Sequence, residues 1–209
     1  RISTVTDAGT ANGNVDDYPG NSGTYIYDAN GNMTTDGSRS ATLTYHKTIN
    51  VPASADFGSN NVIYYHYTAG GAKLIKHVKY TDNTMAYTHY IGNLVYEGGK
   101  LSYILTEEGR LVATQVGSET KFVPEYNLKD HLGNSRVTFM GSYLGGGAVD
   151  VVQSTNYYPF GLTMTQINSN TDGSYSENKY LYNGKEIQDD RFGNKFFGML
   201  DYGARFYDP

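Results

Sequence analysis

"YIYDANGNMTTDG", residues 25–37, admits three readings, and the rest of the chain chooses among them. Asp28, Asn30 and Asn32 put oxygen-bearing side chains at every second position, as a calcium loop does. The same residues suit a tight hairpin: Tyr25 and Tyr27 share one face of a strand, Ile26 takes the other, and Asn30-Gly31 supplies the turn. The third reading is one copy of a repeat. A calcium loop of the EF type wants a bidentate Glu at its last position, and here that position is Arg39, so the turn is preferred over the metal.

The repeat is visible further on. "YIYDANGNM" (25–33), "YHYTAGGAKL" (65–74) and "YILTEEGRLV" (103–112) each carry Tyr, one residue, an aromatic or Leu, Asp or Thr, two residues, then Gly. Gly31, Gly71 and Gly109 are 40 and 38 residues apart, and Tyr65 and Tyr67 hold the places of Tyr25 and Tyr27. A fourth, degenerate copy is "YNLKDHLGNSRV" (126–137), where Asp130-His131-Leu132-Gly133 repeats the D-x-x-G of the first. Such periods mean an array of units, none of which closes a core alone. Within a unit the physics is that of a hairpin: "KLIKHVKYT" (73–81) alternates as a returning strand, and Gly98-Gly99 and "IGN" (91–93) are further turns. No segment has a helical stripe; "KEIQDDRFGNKFF" (185–197) comes nearest and gives no clean face.

Composition agrees. Val, Ile, Leu and Phe make up only about a fifth of the chain, near the limit for a folded domain, but 21 tyrosines bring large rings with a polar end. Tyr-rich, Gly-rich and Leu-poor sequences suit a thin sheet with many turns. The expected fold is all-β: consecutive hairpins in a curved or spiralling antiparallel sheet with little helix. The expected divisions are a polar segment at 1–24, hairpin repeats at 25–125, and a distinct region at 126–209. "GSYLGGGAVD" (141–150) and "TQINSNTDGSYSEN" (165–178) read as mobile surface excursions between strands.

Several function classes lose support. A net charge of −5 gives no basic excess for nucleic acid. No apolar run is long enough to span a bilayer, so a soluble chain is expected, with any export signal upstream. Without cysteine there is no disulfide, thiolate metal site or Cys nucleophile. His46, His66, His77, His89 and His131 include no pair two or four residues apart, so neither zinc nor any cofactor is expected. "PGNSGTY" around Ser22 superficially resembles a serine-protease nucleophile segment but has no matching base; "EGGK" and "NGKE" lack the spacing of a phosphate loop.

Taken in order, "YDANGNM", "HYIGNLVYEGGKLSYILTEEGRLV", "YNLKDHLGNSRVTF", "YYPFGLTM", "YLYNGKE" and "LDYGARFYDP" resemble the RHS-repeat (YD-repeat) proteins, specifically the repeat-associated core region of the Bacteroidetes type. The likeness runs from about residue 25 to 209. Beyond the repeat residues it rests on Asn134 and Arg136, on Tyr158-Pro159-Phe160-Gly161, on Asn183-Gly184-Lys185-Glu186, and on Asp201, Tyr202, Gly203, Arg205, Tyr207 and Asp208. The resemblance implies a shell of spiralling hairpins around a C-terminal effector of the same parent chain, commonly a toxin, in a secreted or cell-surface protein. It also implies self-cleavage in many members, for which Arg205 matches the required Arg; the acidic Asp-Pro elements that complete the site lie beyond Pro209. No enzyme is therefore expected in this stretch alone. A charge within these motifs has a bland role too: Asp130 would accept N–H bonds in its turn, and the arginines would pair with carboxylates or carbonyls. The competing function is a carbohydrate-binding or adhesion module that stacks glycans on exposed tyrosines. A strip cut from a spiral also exposes strand edges that invite self-association.

Overall fold

The computed structural model describes residues 1–6, 23–116, 118–141, 149–168 and 176–209. Ser22, most of the polar segment at 1–24 and the middles of both polar excursions lie outside the described residues. The strands are β1 (Thr4–Val5), β2 (Gly23–Tyr27), β3 (Met33–Asp36), β4 (Ala41–Tyr45), β5 (Pro52–Asp56), β6 (Val62–Tyr67), β7 (Lys73–Lys79) and β8 (Met85–Ile91). They continue as β9 (Leu94–Glu97), β10 (Lys100–Leu105), β11 (Gly109–Val116), β12 (Glu119–Lys129), β13 (Ser135–Gly141), β14 (Val149–Tyr157) and β15 (Thr163–Asn168). These fifteen follow one another in the hydrogen-bonded order as they do in the chain, so the antiparallel sheet of consecutive hairpins expected from the sequence is the fold observed. Five two-residue strands close the chain: β16 (Glu186–Ile187), β17 (Arg191–Phe192), β18 (Lys195–Phe196), β19 (Leu200–Asp201) and β20 (Phe206–Tyr207).

Turn chemistry explains the order. At Asp28–Asn32, the Asp28 N–H donates to the Asn32 carbonyl (2.9 Å) and the Gly31 N–H to the Asp28 carbonyl (3.0 Å). That is a type I turn closed by a left-handed residue, with Gly31 at φ 85° and a register shift in the strand pair beside it. The pattern recurs at Thr68–Ala72 and Asp130–Asn134, where Gly71 and Gly133 have φ 83° and 82°. Tyr80–Thr84 reproduces it with Asn83 in the left-handed place. The segment at 126–137, degenerate by sequence, thus repeats the first turn's geometry closely. The copy at 103–112 does not: the Thr106 N–H bonds the Gly109 carbonyl (3.0 Å), and Gly109 already opens β11. Gly98-Gly99 forms the two-residue turn expected, both residues left-handed and Glu97 paired with Lys100.

The chain divides into two compact units, Arg1–Tyr87 with Gln188–Asp208, and Thr88–Ile187 with Pro209. In each, a late piece of chain lies on one face of the hairpins. In the first unit Ala41, Leu43, Ala55, Phe57, Ile63, Tyr65 and Val78 alternate inward, and Phe192, Phe197 and Met199 complete the core. The rings of Phe192 and Phe197 stand 4.8 and 5.4 Å from that of Phe57. In the second unit Tyr90, Val95, Tyr103 and Val112 form one cluster, with Leu105 and Tyr180 against it. Val123, Met140 and Val152 form another.

Two glycines separate conformational from steric need. A Cβ on Gly133 would meet open space, so Gly133→Ala loses only the left-handed preference, about 1 kcal/mol. A Cβ on Gly109 would collide with the Glu125 carbonyl oxygen of the neighbouring strand, and Gly109→Ala is expected to cost about 3 kcal/mol. Urea unfolding followed by tyrosine fluorescence measures both; equal losses would contradict this assignment.

Candidate functional site: the anchors of the C-terminal segment

The two D-x-x-G-N turns hold more than their own loops. Asp28 Oδ1 accepts the Asn32 backbone N–H (2.8 Å) and its Oδ2 accepts Asn32 Nδ2 (2.9 Å). Asp130 does the same with Asn134 (3.1 and 2.9 Å). Each Asn amide is thereby oriented, and both side chains are buried. Their Oδ1 atoms then take a donor from the late chain: Asn32 accepts the Arg205 Nε–H (3.2 Å), and Asn134 accepts the Asn183 N–H (2.8 Å). Burial disfavours ionised Asp130, but the Asn134 side chain and N–H, the Leu132 N–H and Arg136 outweigh it and hold the carboxyl at about 2. Asp28 is lowered for the same reasons, its burial again opposed by the bonds from Asn32.

Around the first turn the charged residues of "LDYGARFYDP" all find partners. Asp208 grips Arg39 through both oxygens (2.5 and 2.9 Å), and the same guanidinium reaches Asp36 (2.9 Å) and the Phe197 carbonyl (2.8 Å). Burial alone would lower the Arg39 pKa; the carboxylates of Asp208 and Asp36 outweigh it and raise it. Asp201 takes Lys73 (2.7 Å) and, on its other oxygen, the Gly203 N–H (2.7 Å). Tyr202 and Tyr207 meet edge to face at 5.5 Å. Arg205 is exposed, with a second, longer bond to the Asn30 carbonyl (3.4 Å). Tyr45 lies near it, its phenol pushed up to about 12 by burial and by Asp28, with Arg205 acting the other way. Deeper in this unit, buried Lys76 binds Asp190 (3.0 Å) and Tyr65 donates to Gln188 (2.8 Å).

In the second unit three motifs far apart in sequence converge. Gly161, at φ 98°, lies so close to the Tyr182 ring that a Cβ there would collide with it, and the rings of Tyr157 and Tyr182 stand 5.8 Å apart. The Ser135 N–H and hydroxyl donate to the carbonyls of Leu181 (3.1 Å) and Tyr180 (2.9 Å), while the Tyr157 hydroxyl donates to the Ser135 carbonyl (2.8 Å). "DHLGN", "YYPFG" and "YNGKE" therefore form one structural knot. Tyr158 and Pro159 lead into its left-handed Phe160, whose side chain points to solvent, as does His131. Gly184 supplies a left-handed turn before Lys185, whose N–H bonds the Tyr182 carbonyl. Buried Glu186 accepts the Tyr90 hydroxyl (2.7 Å); burial, then this carboxylate, raises the Tyr90 pKa. Arg136 stays in its own turn, bound to Asp130 (3.0 Å) with its guanidinium over Tyr157.

One anchor lies outside the residues that define the sequence motifs. Arg110 and Glu125 face each other across β11 and β12, each 1 % exposed, at 2.6 and 3.0 Å. Arg110 also donates to the carbonyls of Ser176 (2.5 Å) and Glu177 (2.8 Å) and lies over the Tyr103 ring. Its signal, like that of Lys76, is a charge standing in step with inward apolar residues: Arg110 with Val112, and Lys76 with Val78.

Pairing of strands also brings two histidines together. His66 and His77 sit on adjacent strands with 3.2 Å between ring nitrogens, a juxtaposition that counting along one strand cannot detect. Among the described residues no group of three or more His, Cys, Asp or Glu side chains is placed to hold a metal. No helix among them is long and apolar enough to cross a membrane.

No protein-family model and no curated protein matches the chain. Its fold is similar to part of several solved structures. The crystal structure of TcdB2-TccC3-Cdc42 matches 87 % of this chain at 19 % identity with a TM-score of 0.64. The Tc holotoxin pore of Photorhabdus luminescens matches 88 % at 20 % identity, TM-score 0.64, and TcdB2-TccC3 without its hypervariable C-terminal region matches 88 % at 19 %, TM-score 0.60. The matched region is 9 % of each of those chains, so the likeness concerns the fold of one stretch of a much longer protein.

Two outcomes follow from the anchors. Arg110→Met alone strands Glu125 in the interior and is expected to lose about 3–5 kcal/mol, whereas the double change with Glu125→Met recovers a large part of it; urea unfolding of the single and double variants decides. Asp130 is depressed in the folded state, so its contribution is present above the ordinary carboxylate pKa of about 4 and fades as pH falls toward about 2. Asp130→Asn should flatten that part of the stability–pH curve, read by thermal melts at several pH values.

Proposed function

We propose that this chain is a wall and end-plug segment of an RHS-repeat shell, of the polymorphic-toxin kind, which encloses a C-terminal effector carried by the same parent chain. The observation that carries the proposal is the sheet of consecutive hairpins of which, in each unit, one face is covered by late chain, residues 188–208 in the first and 176–187 in the second. Support also comes from the similarity to TcdB2-TccC3, a protein with a hypervariable C-terminal region, and from the ordered series of RHS-like motifs. In this reading the segment is structural and not an enzyme. Self-cleavage belongs to the parent, with Arg205 contributing to a site completed by acidic residues further along. The parent is secreted or displayed at the cell surface.

The Bacteroidetes-type core motif belongs to the proposal as well. An adhesin that stacks glycans on its tyrosines is the competing reading. Against it, Tyr64 stacks on His77 at 4.7 Å and Tyr126 on Phe139 at 5.6 Å, so exposed rings are partly covered by one another.

Intact mass and N-terminal sequencing of the expressed parent provide the test, followed by protease treatment under native conditions. The expected outcome is two fragments that stay together, the C-terminal one resistant to protease until the shell is unfolded, and a single uncut chain in the Arg205→Ala parent. A C-terminal region digested as quickly in the native parent as in the unfolded one would remove the shell reading.

A further inference from the structure

The exposed face of the β6–β7 hairpin carries an arrangement that the shell reading does not use. The pairing sets Tyr64 opposite His77 and His66 opposite Ile75, so the two histidines are diagonal neighbours on the face turned away from Ile63, Tyr65 and Val78. His66 Nε2 lies 3.2 Å from His77 Nδ1. The ring planes are within 16° of parallel with centroids 5.2 Å apart, an offset arrangement in which the nitrogen-bearing edges meet. The Tyr64 ring, 4.7 Å away and inclined by 24°, backs His77, and Tyr87 packs at 5.5 Å. His77, on β7, is thus held by neighbours on the two flanking strands, β6 and β8.

We propose that His66 Nε2 and His77 Nδ1 bind one divalent transition-metal ion of the Zn²⁺ or Cu²⁺ type, with water completing its coordination. Metal–imidazole bonds of about 2.0–2.1 Å at a tetrahedral angle put two ligating nitrogens about 3.3 Å apart, which matches the separation observed. In the neutral pair one nitrogen donates its N–H to the other. When the ion enters, that imidazole moves its proton to its outer ring nitrogen, both inner lone pairs face the metal, and no proton is lost overall. Lys79, on the same face of β7, opposes the ion's charge, and only two protein ligands are present, so the site is weak. Because the ion bridges β6 and β7, it binds the folded hairpin and not the open chain.

Calorimetric titration of the purified chain, free of any polyhistidine tag, with ZnCl₂ and separately CuCl₂ tests the site. The expected result is one saturable site of micromolar Kd that weakens at least ten-fold in His66→Gln and in His77→Gln but not in His131→Gln. Copper EPR should show two coordinated nitrogens, falling to one in either variant. Circular dichroism verifies folding; should His77→Gln fail to fold, the exposed His66→Gln carries the comparison. Absence of saturable binding, or unchanged affinity in His66→Gln, overturns the assignment.

Discussion

The carboxylate of an aspartate that opens a turn, bonded twice to the asparagine four residues on, is the interaction on which the rest of this structure depends. An isolated type I turn with a left-handed glycine leaves its strands free to fray. Tying Asp28 to Asn32 and Asp130 to Asn134 through both carboxylate oxygens fixes the loop and orients the asparagine amide together. The amide's remaining oxygen then faces the late chain in a defined direction. A local rule of turn chemistry becomes a docking point because the same side chain has one end for the turn and one for the tertiary contact.

Docking is needed because a strip of hairpins has two faces and cannot bury either by itself. Inward residues of a Tyr-rich sheet leave hydroxyls and scattered charges that an apolar cover would strand. The late chain answers with groups of matching character: Gln188 for Tyr65, Glu186 for Tyr90, Asp190 for Lys76, and backbone carbonyls for Arg110. Phe192, Phe197 and Met199 supply the apolar part. Buried charge pairs add less stability than their contacts suggest, since desolvation offsets the attraction. What they confer is register, because an ion pair buried one residue out of step would be strongly unfavourable.

Much of this was legible in advance, and the limits have physical causes. Period-two alternation and D-x-x-G spacing identify the hairpins because turns and strand faces are local properties. The repeat puts Gly109 in the same class as Gly31 because both are glycines at matching positions; only the pairing with β12 shows that one serves conformation and the other close approach. Arg110 with Glu125, and His66 with His77, are cross-strand relations. A sequence states which residues alternate but not which strand lies opposite, or in what register. The partner of Asn134 lies 49 residues away, at a distance no local pattern reaches.

The terminal motif can be weighed in the same terms. Most of its charges have firm structural employment: Asp208 in a two-oxygen grip on a guanidinium shielded from solvent, and Asp201 on a lysine and a turn N–H. Their presence in "LDYGARFYDP" is explained by folding alone and says little about chemistry. Arg205 differs. Its bonds to Asn32 and Asn30 are long, its side chain is exposed, and among the described residues no short carboxylate pairing engages it comparable to that of Arg39 or Arg110. Of the charged residues in the motif, Arg205 is therefore the one whose contacts among the described residues hold it least tightly.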